Sequence, residues 1–370
     1  MGNNWAQVRN LLCVRLDSLG DVLMTSPALR ALKQGLGGVR LSLLTSPAGA
    51  AGAVYMPEVD ETLIYLAPWM KHERQTGARA DVDMIRLLRR KKFDAAVIFT
   101  SYSQSPLPAA MLCHYAGIPL SLAHCRENPY WLLSDRVRET EPEETIRHEV
   151  RRQLDLVAAI GCIPADERLS FRVPPEALAW ARRHLPMAGF DLEKPWLLLH
   201  PGATASSRRY PPRSWAEALN LLHDELQCPV LLCGGVEEMS LIKEIRGELL
   251  CPNYSLAGQI DLGRFAAVVA LAPVLLANNS GPAHLAAALG TPVVDLYALT
   301  NFQHAPWGVP HRILYHEVAC APCYKSVCPH DHHDCLQKVS PARVAQETLS
   351  LLHEVYGLHQ ATKVYPGSEE

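Results

Sequence analysis

The chain reads as an α/β protein built of two doubly wound parallel-sheet domains, and three observations predict this. Short apolar runs of strand character alternate with helical segments through both halves, a pattern that argues parallel sheets with crossover helices. At 370 residues, 48% hydrophobic and 20% charged, the chain is too long for one core and suits two of ordinary size. The stretch from Phe171 to Pro195 carries several prolines and a short helical piece, so the boundary falls there, with a first domain over 1–180 and a second over 190–340.

In chain order, Leu11, Leu12, Val14 and Leu16 form the first strand-like run, bounded by the turn Asp17-Ser18-Leu19-Gly20. Val22, Leu23, Ser26, Leu29 and Leu32 then keep helical spacing, which puts Asp21 in the first turn, where unpaired N–H groups favour a carboxylate. An Asp at that position can be a cap and nothing more, or it can be a base. Further strands are expected near 40–45 and 95–100. Arg86, Arg89, Arg90, Lys91 and Lys92 follow one helical pattern and Arg147, Arg151 and Arg152 another. Such runs read either as solvated faces or as a seat for an anionic acceptor.

In the second half, the buried-type strand Trp196 to Leu199 runs into His200-Pro201-Gly202-Ala203 and then Ser206-Ser207-Arg208-Arg209-Tyr210-Pro211, ahead of a helix near Arg213. Two adjacent arginines in a strand-to-helix loop are either solvated surface or planar, multidentate donors for a diphosphate. A strand near 230–235 precedes the run Val274 to Ala277, whose polar turn leads to Pro282 just inside a helix start. Asn279 or Ser280 would cap that helix, and the N–H groups of Ser280, Gly281 and Ala283 would face the crevice at the strand's carboxyl end, where a phosphate could sit. His284 lies one turn in, and Ala286, Ala287 and Ala288 suit close packing on a sheet, so an ordinary capped helix is the other reading. A strand near 293–297 completes the series. No G-x-G-x-x-G follows Leu16, which disfavours a nicotinamide cofactor.

Taken together, VRLDSLGDVLMTSPALRAL, LLLHPGATASSRRYPPRSWAEAL, LLCGGVEE, NNSGPAHLAAALGTPVV and ALTNFQHAPW resemble glycosyltransferase family 9, the lipopolysaccharide heptosyltransferases, from about Leu11 to about Leu352. The resemblance implies a GT-B enzyme, two Rossmann-like domains facing a central cleft, that moves a sugar from a nucleotide donor, typically ADP-heptose, with inversion at the anomeric carbon. It implies a glycan or glycolipid acceptor, no cofactor for catalysis, and a last helix, about 341–370, packing back on the first domain. Position by position, Asp21 matches the family's catalytic carboxylate, and Arg208, with Arg209 beside it, matches a basic residue on the donor diphosphate. Ser280, Gly281 and His284 match the phosphate-holding segment. Glu238 falls where an acidic residue meets the donor ribose, with Glu237 competing for that place. Asn279 stands where many members have Asp, which takes away a carboxylate that could have ligated a divalent ion.

The chemistry follows from the residues as well. An acceptor hydroxyl attacking an anomeric carbon must lose its proton, which Asp21 can take, and Asp17 nearby could strengthen it as a base. The leaving nucleoside diphosphate gains charge, which N–H donors and guanidinium groups stabilise. Another GT-B reaction, hexosyl transfer or epimerisation, and a non-catalytic nucleotide- or metal-binding scaffold are the alternatives.

Cysteine usage stands apart from this. Cys320, Cys323, Cys328 and Cys335 fall within one short segment among His330, His332 and His333. Thiolates and imidazoles are the ligands zinc and iron prefer, so a structural ion is one reading, and a reduced loop or labile disulfide is the other. Cys13, Cys228 and Cys233 sit in or beside apolar strands and read as core. A net charge of -3 and the lack of helix-turn-helix or zinc-finger spacing disfavour nucleic acid as a partner. MGNNWAQVRN lacks the apolar core of a signal peptide, and the run Phe265 to Ala277 is well short of the roughly 20 residues that cross a bilayer. A cytoplasmic protein is expected, with peripheral contact at the inner face of the membrane.

Overall fold

A computed structural model describes residues 4–71 and 77–357. The chain divides into two compact units between Arg172 and Val173. In the first, strands β1 (Asn10–Arg15), β2 (Arg40–Thr45), β3 (Glu61–Ile64), β4 (Ala95–Ile98), β5 (Leu120–Cys125) and β6 (Asp135–Arg138) alternate with helices α1 (Leu19–Gly35), α2 (Pro47–Ala53), α3 (Ala78–Lys91), α4 (Leu107–Ala116) and α5 (Glu149–Ala158). The six strands form one parallel sheet in the order β3-β2-β1-β4-β5-β6. Leu12, Val14 and Leu16 point to the layer that holds Met84 and Leu88 of α3 and Ala109 and Leu112 of α4. Leu11 and Cys13 between them are equally buried, so both faces are covered and the strand reads as a continuous apolar run.

The second unit repeats the design. Its strands are β7 (Leu197–His200), β8 (Val230–Leu232), β9 (Asn253–Ser255), β10 (Leu275–Asn278), β11 (Val293–Leu296) and β12 (His311–Leu314). Its helices are α6 (Pro175–Met187), α7 (Pro212–Leu226), α8 (Met239–Gly247), α9 (Leu262–Leu271), α10 (Gly281–Leu289), α11 (Asp334–Gln337) and α12 (Pro341–Tyr356). The parallel order is β12-β11-β10-β7-β8-β9. In each sheet the chain starts in the middle, winds outward one way, and returns to wind the other way. The crevice at that reversal lies between the turns after β1 and β4 in one unit, and between those after β7 and β10 in the other.

Two segments go elsewhere than the sequence suggested. The proline-rich stretch after Phe171 is largely α6, which buries Ala177, Ala181 and Leu185 and packs on α9, with Arg264 of α9 stacked 5.0 Å over Trp180. It therefore goes with the C-terminal unit. The last helix was expected to pack back on the first unit, but α12 lies on α7 and β12, where Val344, Ala345, Leu351 and Leu352 close the second unit's core. Arg312 of β12 holds it there through Glu347 at 3.2 Å and Glu354 at 2.7 Å. Its apolar stripe is thus spent within its own unit; residues 358–370 of that expected helix lie outside the described residues. Among the described residues no helix is long and apolar enough to cross a membrane.

Candidate functional site

In the N-terminal unit, the turn after β1 carries a charge cluster around one buried cation. Asp21 is the third residue of α1 and accepts from Ser18 N–H at 3.1 Å and Ser18 Oγ at 2.6 Å through Oδ2, so it does cap the helix. Its other oxygen faces Arg15 Nη2 at 3.2 Å. Arg15 closes β1 and is fully buried. Its Nε lies 2.9 Å from Asp17 Oδ2 and its Nη1 2.8 Å from Glu149 Oε1 on α5. Gln104, from the turn after β4, donates to Asp17 Oδ1 at 2.7 Å, which ties the two sides of the crevice together. Burial, joined by the charges of Asp21 and Glu149, holds the Asp17 carboxyl above its ordinary range, while Arg15 and Gln104 pull it back. Burial works against a charged Arg15, but Asp17, Glu149 and Asp21 outweigh it and keep the guanidinium protonated.

In the C-terminal unit, the turns after β7 and β10 meet in the same way. Asn278 Nδ2 donates to Pro201 O at 2.6 Å and its Oδ1 accepts from Tyr210 N–H, which pins the arginine-bearing loop over the sheet. Arg208, at the end of the single 3-10 turn Ser206–Arg208, donates from Nη1 to the carbonyl of Asn279 at 3.1 Å. A guanidinium is thereby fixed beside the residues that open α10. Ser280 is the N-cap, and Pro282 has no N–H to lose. Ala283 N–H donates to Ser280 O and is not available to a ligand, contrary to expectation, so Ser280 and Gly281 are left to present backbone donors. His284 is buried one turn in.

The other expected residues separate. Arg209 is exposed and turned back on its own loop, donating to Ala203 O at 2.8 Å. The Asn279 side chain is consumed inside, donating to Ala298 O at 2.8 Å, so its backbone carbonyl rather than its amide meets Arg208. Glu238 points inward, accepting from Gly235 N–H at 2.8 Å, whereas Glu237 is exposed. Glu238 can lie there because residue 202 is glycine: a Cβ at Gly202 would sit 1.4 Å from Glu238 Oε1.

Several polar residues around the ends of the strands were not singled out in the sequence. Besides Arg15 and Glu149, His200 and Asp295 flank Ala277 on neighbouring strands in register. His200 lies 3.6 Å from Glu238 and against Phe265; burial holds its imidazole below its ordinary value. Asp295 is 1% exposed, neither carboxylate oxygen has a hydrogen-bond partner among the described residues, and burial raises its carboxyl well above the usual range, against the pull of Arg208. The signal that could have found Arg15 and Asp295 is a lone charge inside an apolar strand, since such a charge is retained only at a cost.

The basic runs are mostly occupied. Arg152 is buried against Glu139, Arg147 bridges Glu141 and Asp155, and Arg151 pairs with Glu167 at a more exposed position, so each of the three is engaged in an ion pair within the chain. On α3, Arg86 pairs with Asp83 and Lys91 with Glu61. The cysteine segment gathers Cys320, Cys323, Cys328 and Cys335 around one small pocket beside Ser207, and all four are unpaired. Among the described residues no group of three or more His, Cys, Asp or Glu is arranged to hold a metal ion, so the expected zinc or iron finds no support there. The segment does support the donor loop: Ser207 donates from N–H to Ser326 O and from Oγ to Lys325 O at 2.8 Å.

Residues 82–333 match the model of the family described as glycosyltransferase family 9 (heptosyltransferase). The chain is similar to lipopolysaccharide heptosyltransferase 1 of Pseudomonas aeruginosa, 25% identical over 360 residues that cover 92% of this chain and 98% of that one. Among solved structures it is similar to the glycosyl transferase family 9 protein of Veillonella parvula, with a TM-score of 0.78 and 18% identity over 96% of this chain and 99% of that chain. The Escherichia coli heptosyltransferase WaaC with ADP-2-deoxy-2-fluoro heptose superposes with a TM-score of 0.67 and 18% identity over 92% and 99%. These likenesses establish a shared GT-B fold.

Proposed function

The chain belongs to glycosyltransferase family 9, and from that premise we propose that it transfers heptose from ADP-heptose to a lipopolysaccharide core acceptor, with inversion at the anomeric carbon. The observation that carries the reading is the Arg208 guanidinium fixed on the Asn279 carbonyl at the opening of α10. That arrangement sets a planar cation beside helix N–H groups, a seat for the two phosphates of a nucleoside diphosphate. The relative with bound ADP-2-deoxy-2-fluoro heptose supports the choice of base and sugar. Glu238, inward and half-buried, is the acidic residue for the ribose.

In this scheme the acceptor oxygen attacks the anomeric carbon, its proton passes to Asp21, and the bond to the diphosphate breaks with the electron pair leaving on the phosphate oxygen. Arg208 and the N–H groups of Ser280 and Gly281 meet the charge that develops there and favour the transition state over the ground state. Asp21 is the most exposed carboxylate of its cluster, with 22% of its side chain open, against 14% for Asp17 and 1% for Glu149, so it is the one a hydroxyl can reach. Asp21→Asn keeps the shape and removes the base. It should lower transfer by about a thousandfold or more while ADP-heptose still binds, measured by product formation and calorimetry in parallel. A calorimetric comparison of ADP, UDP, GDP and dTDP tests the donor; preference for a base other than adenine refutes the heptose assignment.

A further inference from the structure

Beside the donor loop lies a group of thiols that the transfer chemistry does not use. Cys320, Cys323, Cys328 and Cys335 line one small pocket together with Ser207, and each is partly open to solvent, whereas the other seven cysteines are buried. Burial, and then the neighbouring Cys323, Cys328 and Cys320, push the Cys335 thiol up, so Cys335 is close to all three. Cys320 has a different neighbour, since His332 Nε2 stands 3.6 Å from its sulfur. His332 Nδ1 accepts from the Asp334 N–H at 2.9 Å, which leaves the proton of the neutral ring on Nε2, donating toward that sulfur. Such a bond suits a sulfur that attacks as thiolate. The same segment carries the donor loop. Ser207 donates from N–H to Ser326 O at 3.3 Å and from Oγ to Lys325 O at 2.8 Å, and the next residue is Arg208. Lys325 and Ser326 both lie on the loop whose ends are Cys320 and Cys335.

We infer that Cys320 and Cys335 form a thiol–disulfide site whose state sets the affinity of the neighbouring Arg208 seat for a nucleoside diphosphate. This rests on Arg208 holding that diphosphate. The co-reactant is a low-molecular-weight disulfide. The Cys320 thiolate attacks one of its sulfurs, the S–S bond breaks, and the other half leaves as a thiolate that takes up the proton Cys320 lost. The Cys335 sulfur, on giving up its proton, attacks Cys320 in the mixed disulfide and expels the second half, which takes up that proton. Two thiols of the chain are thereby oxidised and one small disulfide is reduced to two thiols. The new bond, about 2.0 Å long, is far shorter than any contact between separate thiols, so it draws the two ends of the loop together. The Lys325 and Ser326 carbonyls move with the loop, the bonds that place Ser207 loosen, and Arg208 beside it is held less well. Reduction by an excess of small thiol reverses each step.

The test treats the full chain with oxidised glutathione, maps its thiols by alkylation and mass spectrometry, and titrates ADP by calorimetry before treatment, after it, and after dithiothreitol. Oxidation should link Cys320 to Cys335 with no glutathione retained, weaken ADP binding about tenfold, and be undone by dithiothreitol. Cys320 is partly open to solvent, so Cys320→Ser keeps the fold; it should bind ADP as the reduced chain does and no longer respond to the oxidant. The inference is overturned if no bond forms between Cys320 and Cys335, or if that bond forms and ADP affinity changes by less than about twofold. Arg208→Ala separates it from the reading on which it rests. If reduced Arg208→Ala binds ADP as tightly as the parent chain, the seat assignment falls; if it binds weakly while the oxidised parent binds normally, only the thiol coupling is wrong.

Discussion

At the scale of single residues, buried charge marks where this protein departs from what folding alone requires. Asp295 is the clearest case, because its carboxylate has no hydrogen-bond partner among the described residues and its neighbour Arg208 is bonded to Asn279. Burial raises its folded-state pKa above the unfolded value of about 3.9, so the stability it allows is present below that value and is lost as pH rises toward the folded one. Asp295→Asn should therefore stabilise the C-terminal unit by about 1–3 kcal/mol at pH 8 and by less at pH 5, read as the difference in thermal unfolding. A gain that does not grow with pH would mean the carboxylate is satisfied in solution. Asp21 was legible in the sequence because its place in the first turn of a helix is a local fact. Its bond to Arg15 was not read there, and neither was Glu149, since 134 residues separate it from Arg15.

At the scale of elements, glycine and small residues decide how closely the site's parts approach. Gly202 follows β7 and allows Glu238, on the turn before α8, to lie against the backbone. Gly202→Ala would put a methyl group where the carboxylate is, so Glu238 must move. ADP-heptose should then bind about tenfold more weakly, with Glu238→Gln giving a similar loss in calorimetry; an Ala variant of unchanged affinity would remove Glu238 from the ribose. The strand and helix series was readable from periodicity, and the polar turns from their composition. Which nitrogen or oxygen of a turn remains available was not, as Ala283 shows: Pro282 announces the helix start, but only the closed bond to Ser280 O removes the next donor.

At the scale of the whole molecule, two sheets of the same strand order each carry their own core, and α12 belongs to the second. Leu351 is fully buried there, so Leu351→Ala should cost about 2–5 kcal/mol and lower the one calorimetric transition that ADP raises. If it lowered the other transition, the helix would be serving the first unit. By itself the sequence determined the class of fold, the strand-to-helix turns that carry Asp21, Arg208 and Ser280, and the family resemblance, because apolar period, capping residues and turn composition all act over a few neighbouring residues. Tertiary structure alone decided that Arg208 rests on Asn279, that Arg209 and Glu237 turn away, that the cysteine loop supports Ser207, and that three carboxylates share Arg15. Those outcomes depend on which distant side chains reach the same buried spot, and burial is what selects among them: a group out of water either finds a partner, wherever in the chain that partner lies, or, like Asp295, is driven toward its neutral form.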